Sequence, residues 1–138
     1  MIGVLAMAMT LVGLTPDPGP IGLWKTPEDG GSLVRIEPCG AALCGHIVSS
    51  SRLRADPDQR DVRNHQPDLR TRRLRDLMIL RTRPIGPNRW GDGWVYNPED
   101  GAIYKGTIEL KADGTLNLTG CVIAPLCRRE TWERAPAN

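Results

Sequence analysis

A chain of 138 residues with 40% apolar content and a net charge of +2 fits one domain with a single core. Its 15 glycines and 12 prolines, free of low-complexity repetition, suit a turn-rich β protein and argue against disorder. Phenylalanine is absent, so Trp24, Trp90, Trp94 and Trp132 must supply most of the aromatic bulk.

The first segment, Met1 to Leu14, is apolar and uncharged. It falls short of the roughly 20 residues a spanning helix needs. It reads instead as the hydrophobic stretch of a secretory signal, with Ala6-Met7-Ala8 as a cleavage site. The basic residues that normally precede such a stretch are missing, since the first cation is Lys25; a truncated or misassigned start would explain this. Thr15 to Pro20 is a Pro/Gly linker, so residues 1–20 form a signal-like segment and linker, and residues 21–135 the domain.

Strand signals follow one another from there. Gly22 to Lys25 is a short strand ending in the turn Pro27-Glu28-Asp29-Gly30, and Trp94 is followed by the same signal at Pro98-Glu99-Asp100-Gly101. Proline presets φ for a turn and Asp-Gly supplies the positive φ that reverses the chain. Ser32 to Pro38 alternates, with Val34 and Ile36 on one face, and returns through Gly40–Leu43 into Cys44 to Ser50. Arg52 to Arg73 lacks apolar periodicity and holds Pro57 and Pro67, which predicts a long loop with room for a helical turn. Leu74 to Thr82 is predicted as a strand, a turn at Pro84 and Pro87 follows, and Arg89 to Tyr96 is the next strand. Ile103 to Leu110 groups Tyr104, Gly106, Ile108 and Leu110 on one face, and Thr115 to Cys121 sets Leu116, Leu118 and Gly120 inward. The last strand is Cys127 to Arg134. About eight strands without long helical patterns make an all-β sandwich or meander barrel. In an up-and-down order, the two Pro-Glu-Asp-Gly turns, the long loop and the apolar Val122–Leu126 tip share one end, the candidate mouth.

Four cysteines allow three pairings. Cys39 with Cys44 and Cys121 with Cys127 are the local ones, spaced as residues that approach at the base of a hairpin. Each would stabilise by about 2 kcal/mol in the chain-entropy model and would place the protein in an oxidising compartment, periplasmic or secreted. The alternative, a four-thiolate zinc site, lacks the usual ligand spacing.

Charge is unevenly spread. Arg52 to Arg89 carries eleven arginines against five aspartates, a net +6, and the remainder is −4. The segment suits an anionic partner, or packing against the acidic turns. Arg70 and Arg72 can present two planar forks to one carboxylate or phosphate, with Asp61 and Asn64 beside them. The same arginines would equally pin the loop by pairing with Asp61, Asp68 and the acidic turns. On the last strand Arg128, Glu130, Trp132 and Arg134 share a face. If Trp132 points inward, either a bulge at Cys127 breaks the alternation or the interior is partly polar, which would favour an amphipathic ligand. No Gly-x-Ser-x-Gly elbow, P-loop or His-Glu-x-x-His motif occurs. His46 reads as a structural strand residue, and His65 with Asp61, Asn64 and Asp68 as turn-capping groups before a cation site. No catalytic residue, metal site or cofactor is expected. The arginine-rich segment has no aromatic interleaving before Trp90, so nucleic acid is not an expected partner.

The ordered motifs from Gly22 to Arg134 resemble the domain of unknown function 2147 (DUF2147) family of small exported bacterial proteins. They are Gly22-Leu23-Trp24, Cys39 through Cys44-Gly45-His46-Ile47-Val48, and Asp61-Val62-Arg63-Asn64 with Leu69-Arg70-Thr71-Arg72. Next come Leu77-Met78-Ile79-Leu80, Trp90-Gly91-Asp92-Gly93, Tyr96 to Gly101 with Tyr104, Gly120-Cys121, and Cys127 to Arg134. Arg73 and Asp76 depart from the family pattern, which usually has proline and glycine there. The resemblance implies a lipocalin-like, eight-stranded antiparallel barrel and no assigned activity, and Gly22-x-Trp24 with Arg134 looks like a lipocalin barrel-closing pair. The expected function is binding of an amphipathic or anionic small molecule, such as a lipid, at the mouth. The alternative is an envelope protein with a filled barrel whose basic loop contacts a partner protein or an anionic membrane surface. The candidate binding residues are Asp61, Asn64, Arg70 and Arg72 in the loop, Trp90 and Tyr104 in the family motifs, and Arg128 and Glu130 on the last strand.

Overall fold

The alternating strands close on themselves. In a computed structural model that describes residue 3 and residues 19–28, 30–123 and 125–136, eight antiparallel strands form a barrel in sequence order. They are β1 (Gly22–Lys25), β2 (Leu33–Cys39), β3 (Ala42–Ser49), β4 (Met78–Gly86), β5 (Arg89–Asn97), β6 (Ala102–Leu110), β7 (Leu116–Ile123) and β8 (Leu126–Arg134). The expected meander barrel is therefore the observed fold. The signal-like stretch and its cleavage site lie outside the described residues, Gly3 apart.

Strand ends shift by one or two residues at several places, as where β7 runs on to Ile123, and the largest change is at β4. Leu74 to Leu77 is not strand, and β4 runs on through Pro84 to Gly86. The ladder with β3 ends at Leu43↔Thr82, so on that side no partner needs the N–H that Pro84 lacks. Leu74 is instead a buried loop residue whose N–H donates to the Gln59 carbonyl. A short apolar run does not by itself distinguish a strand from a packed loop anchor.

Closure between β1 and β8 rests on two residue pairs, Trp24↔Arg134 and Lys25↔Glu133. The Arg134 guanidinium lies 4.4 Å from the Trp24 ring centroid, and it donates hydrogen bonds to the Ile21 and Gly19 carbonyls. The Trp24 indole N–H donates to the Pro20 carbonyl at 2.9 Å, which draws the incoming chain across this end. Trp24, Ile36, Leu80, Ile108 and Leu116, all essentially inaccessible to solvent, fill the barrel here.

Both local disulfides form. Cys121 and Cys127 are direct cross-strand partners with Cα atoms 4.1 Å apart. Cys39 and Cys44 sit diagonally across the β2–β3 hairpin, 5.9 Å apart, because Cys44 pairs with Glu37 and Cys39 with Ala42.

The long β3–β4 connection begins with the short helix α1 (Ser51–Ala55), capped by Ser50 and anchored by buried Leu53. It then forms a loop whose neck is a bridge between Arg60 and Arg73. The two bonds there run from Asp61 N–H to Arg72 and from Leu74 N–H to Gln59. Neither uses the Arg73 N–H, so the proline that the resemblance implies at this position would fit it. Asp76, in the usual glycine position, has φ 61°, a left-handed conformation that glycine adopts most easily and aspartate tolerates.

Replacing Arg134 by alanine removes the ring contact and two hydrogen bonds at the thinnest seam of the barrel. Urea unfolding should show a loss of about 2 kcal/mol with an unchanged m-value. A loss under about 0.5 kcal/mol would show that the seam does not depend on Arg134.

Candidate functional site

The end of the barrel opposite Trp24 is hollow. A cavity of about 710 Å³ opens there between the β1–β2, β3–β4, β5–β6 and β7–β8 connections, the size of a small-molecule site. Its walls are apolar, from Val34, Ile47, Ile79, Val95, Leu118 and Trp132. Strict alternation brings one side chain per two residues inward, and at this end those side chains are largely aliphatic, with Tyr96, Tyr104, Glu130 and Trp132 among them and Gly120 adding no bulk. Leu74 contributes from the loop.

Charged groups collect at the rim. Arg63 Nη1 lies 2.8 Å and Arg52 Nη1 3.6 Å from the Glu99 carboxylate, so the second Pro-Glu-Asp-Gly turn sits against the basic loop. Arg54 donates to the Gly30 carbonyl at 2.8 Å, tying the first turn to α1. Burial pushes the Glu28 carboxyl up, but hydrogen bonds from Ser32 and Thr26 outweigh it and hold the group below the usual carboxylate range. The Tyr104 hydroxyl donates to the Asp100 carboxylate, and this bond raises the tyrosine pKa.

The sequence-derived candidates divide into three groups. Tyr104, Arg128 and Glu130 do line the cavity. On β8 no bulge rescues the alternation of Arg128, Glu130 and Trp132, so the interior is partly polar: the Trp132 indole N–H donates to Glu130 at 3.1 Å, and Arg128 Nε is 4.0 Å from the same carboxylate. Arg128 remains largely solvent-exposed, its side chain 81% accessible.

Asp61, Asn64, Arg70 and Arg72 do not line the cavity; they bond to one another. Asp61 is buried and accepts from Asn64 Nδ2 and Arg72 Nε, each at 2.9 Å, and from the Tyr96 hydroxyl. The Arg72 guanidinium also lies 5.1 Å from the Tyr96 ring centroid. Arg70 Nε donates to the Asn64 carbonyl at 2.8 Å. A buried carboxylate demands such partners, and the arginines that supply them are drawn into holding the loop. His65 and Asp68 remain exposed, and among the described residues no three His, Cys, Asp or Glu side chains converge as metal ligands.

Trp90 lies at the other end of the barrel, paired with Ile108 and half-buried against the core. A strand residue next to the Pro87-Asn88 turn falls at the closed end because β5 runs toward the mouth.

Sequence reasoning passed over Arg52, Arg63, Glu99 and Asp100 as individual rim groups, although it placed their turns and loop at the mouth. The signal for Arg63 lies in Gly101. With φ 74°, that glycine is so close to the loop that an added Cβ would fall 1.7 Å from the Arg63 carbonyl, and its own carbonyl accepts from His65 N–H.

A family model described as an uncharacterized protein conserved in bacteria, DUF2147, matches residues 22–134. The chain belongs to this family. The DUF2147 barrel is also similar to the solved structure of protein HP1028 from the human pathogen Helicobacter pylori, described as belonging to the lipocalin family. The TM-score is 0.75 at 21% identity, covering 85% of this chain and 83% of that one. At that identity the likeness supports the lipocalin-like fold alone, a fold compatible with small-molecule binding. Comparison with curated proteins gives no match. Two disulfides in a small protein of a bacterial family are consistent with an extracytoplasmic location.

Tyr96→Phe leaves one buried Asp61 oxygen without its donor and should destabilise by about 1–3 kcal/mol. Burial, then the hydrogen bond to Asp61 and its charge, raise the Tyr96 pKa well above its ordinary value of 10. The stability this provides is full below pH 10 and drains as pH rises beyond it. Urea titrations across that range should show a shallower alkaline decline for Tyr96→Phe than for the unsubstituted chain. Parallel declines would rule out this linkage.

Proposed function

We propose that this protein is an exported carrier of an amphipathic small molecule, held with its apolar part in the barrel and its polar or anionic head at the rim. The observation that carries this reading is the graded cavity: about 710 Å³ with aliphatic walls below and Arg52, Arg63, Arg128, Glu99 and Glu130 above. Apolar burial supplies affinity at roughly 25 cal/mol per Å² of apolar surface removed from water, and a few polar groups fix orientation. Arg52 and Arg63 already share Glu99, so Arg128 is the rim cation best placed to meet an anionic head. Export is supported by the disulfides and by the apolar segment that precedes the domain.

The rival reading, a filled barrel acting through its basic loop, has less support. The mouth half is open, and Arg63 and Arg72 are engaged by Glu99 and Asp61.

Titration with cis-parinaric acid, a fluorescent fatty acid, tests the carrier reading. Saturable one-to-one binding is expected, weakened about tenfold or more by Leu118→Trp, which fills the cavity. Arg128→Ala should weaken binding by about 1 kcal/mol. Absence of saturable binding, or binding indifferent to Leu118→Trp in a folded variant, would remove the carrier reading.

A further inference from the structure

The β7–β8 hairpin ends in an apolar crown that the barrel core does not use. Ile123 is 71% exposed, Leu126 70% and Val122 64%, and Ile103 on neighbouring β6 is 59% exposed. Single exposed apolar residues are ordinary on a protein surface, but a cluster of them marks an interaction site. Their arrangement follows from the registers. Ile123 pairs with Leu126 beyond a register shift that follows the Cys121↔Cys127 pair, and Ile103 lies two residues past Lys105, where the β6–β7 ladder ends at Cys121. Ile103, Ile123 and Leu126 are thus all exposed at the rim end of their strands. The next row holds Lys105, about 6.6 Å below Ile103, and the Cys121–Cys127 disulfide, two residues below Ile123 and one below Leu126. The row after that holds Arg129 beside Thr119. Neither Lys105 nor Arg129 has an ion-pair partner among the described residues, and both are exposed.

An apolar edge with unpaired cations one and two rows behind it, roughly 7 and 13 Å away, matches the layering of a lipid interface, acyl chains first and phosphates next. We propose that this crown docks the barrel mouth on an anionic lipid bilayer, with Ile103, Ile123 and Leu126 in the acyl boundary and Lys105 and Arg129 at the phosphates. Charge complementarity selects this occupant. Size supports it too: a stable protein interface needs about 800 Å² from each partner, more than one hairpin tip and a neighbouring side chain present, whereas a bilayer accepts a narrow edge. Val122 and Leu126 also line the cavity, so the docked crown would give an apolar path from bilayer to barrel. The disulfide ties the two strands directly beneath the tip, so the crown is presented by a braced hairpin. Docking goes beyond the carrier reading and does not depend on it.

Sedimentation of the oxidised full chain with phosphatidylcholine vesicles, with and without phosphatidylglycerol, tests the proposal. Binding should require phosphatidylglycerol and weaken with salt. Ile123→Ser, which leaves the cavity lining untouched, should weaken it about fivefold to tenfold. In Ile123→Trp, tryptophan emission should shift to the blue with these vesicles beyond any shift of the unsubstituted chain. Leu118→Trp should weaken fatty-acid binding about tenfold or more yet keep vesicle binding, so that failure of the carrier reading and failure of docking are seen separately. No binding to phosphatidylglycerol vesicles, or binding indifferent to Ile123→Ser, would overturn the proposal. So would loss of vesicle binding in folded Leu118→Trp, or a lipid-free dimer that disappears in Ile123→Ser, which would assign the crown to self-association.

Discussion

An eight-stranded sheet closes only if its first and last strands meet, and here they meet over two residue pairs. Arg134 makes so short a seam sufficient. Its guanidinium covers the Trp24 ring while its N–H groups reach the carbonyls of Gly19 and Ile21, so one side chain ties β8 to β1 and to the chain preceding it. Trp24 then serves as plug and platform together, buried against Ile36 and Leu116 and holding Pro20 through its indole N–H. Closing one end in this way leaves the other free to stay open.

The open end follows from what the chain lacks. Without phenylalanine, and with Trp90 and Trp94 only half-buried, Trp132, Tyr96 and Tyr104 are the large aromatics left to occupy the mouth half of the interior. Aliphatic side chains and Gly120 line the remaining space without filling it. The connections above must then be held apart from the cavity by their own bonds. Asp61 does this for the long loop, satisfying its carboxylate with Asn64, Arg72 and Tyr96. Glu99 and Gly101 dock the opposite turn against the same loop. The rim is thus braced by charge pairs while the interior keeps aliphatic walls with Glu130 as a polar patch beside Trp132.

Much of this was legible in the residues. Period-two alternation set the inward faces of β2, β6 and β7, the cysteine spacing set both disulfides, and the order of turns placed the mouth. The bounds of β4 were not legible, because Leu74 to Leu77 is equally suited to a strand or to a buried loop anchor. The roles of Arg70 and Arg72 were only half legible. An arginine beside an aspartate eleven positions away can face a ligand or pair with that aspartate. The choice depends on whether the carboxylate is buried, which no local pattern reports. Trp90 belonged to a strong family motif, but such a motif marks the fold as readily as a site.

The rim charges also bear on how a ligand would sit. Arg52 and Arg63 converge on Glu99, and Glu130 accepts from Trp132, so each of these mouth groups already has a partner. Arg128 stands apart, its side chain largely in solvent and 4.0 Å from Glu130 at the edge of ion-pair range. A rim whose other groups are already partnered, with one loosely held cation, would attract an anionic head without requiring that a strong ion pair be broken first. Arg128 lies two residues from Leu126, so the polar end of a bound amphiphile would rest beside the apolar crown, with its tail directed past Leu118 toward Trp132.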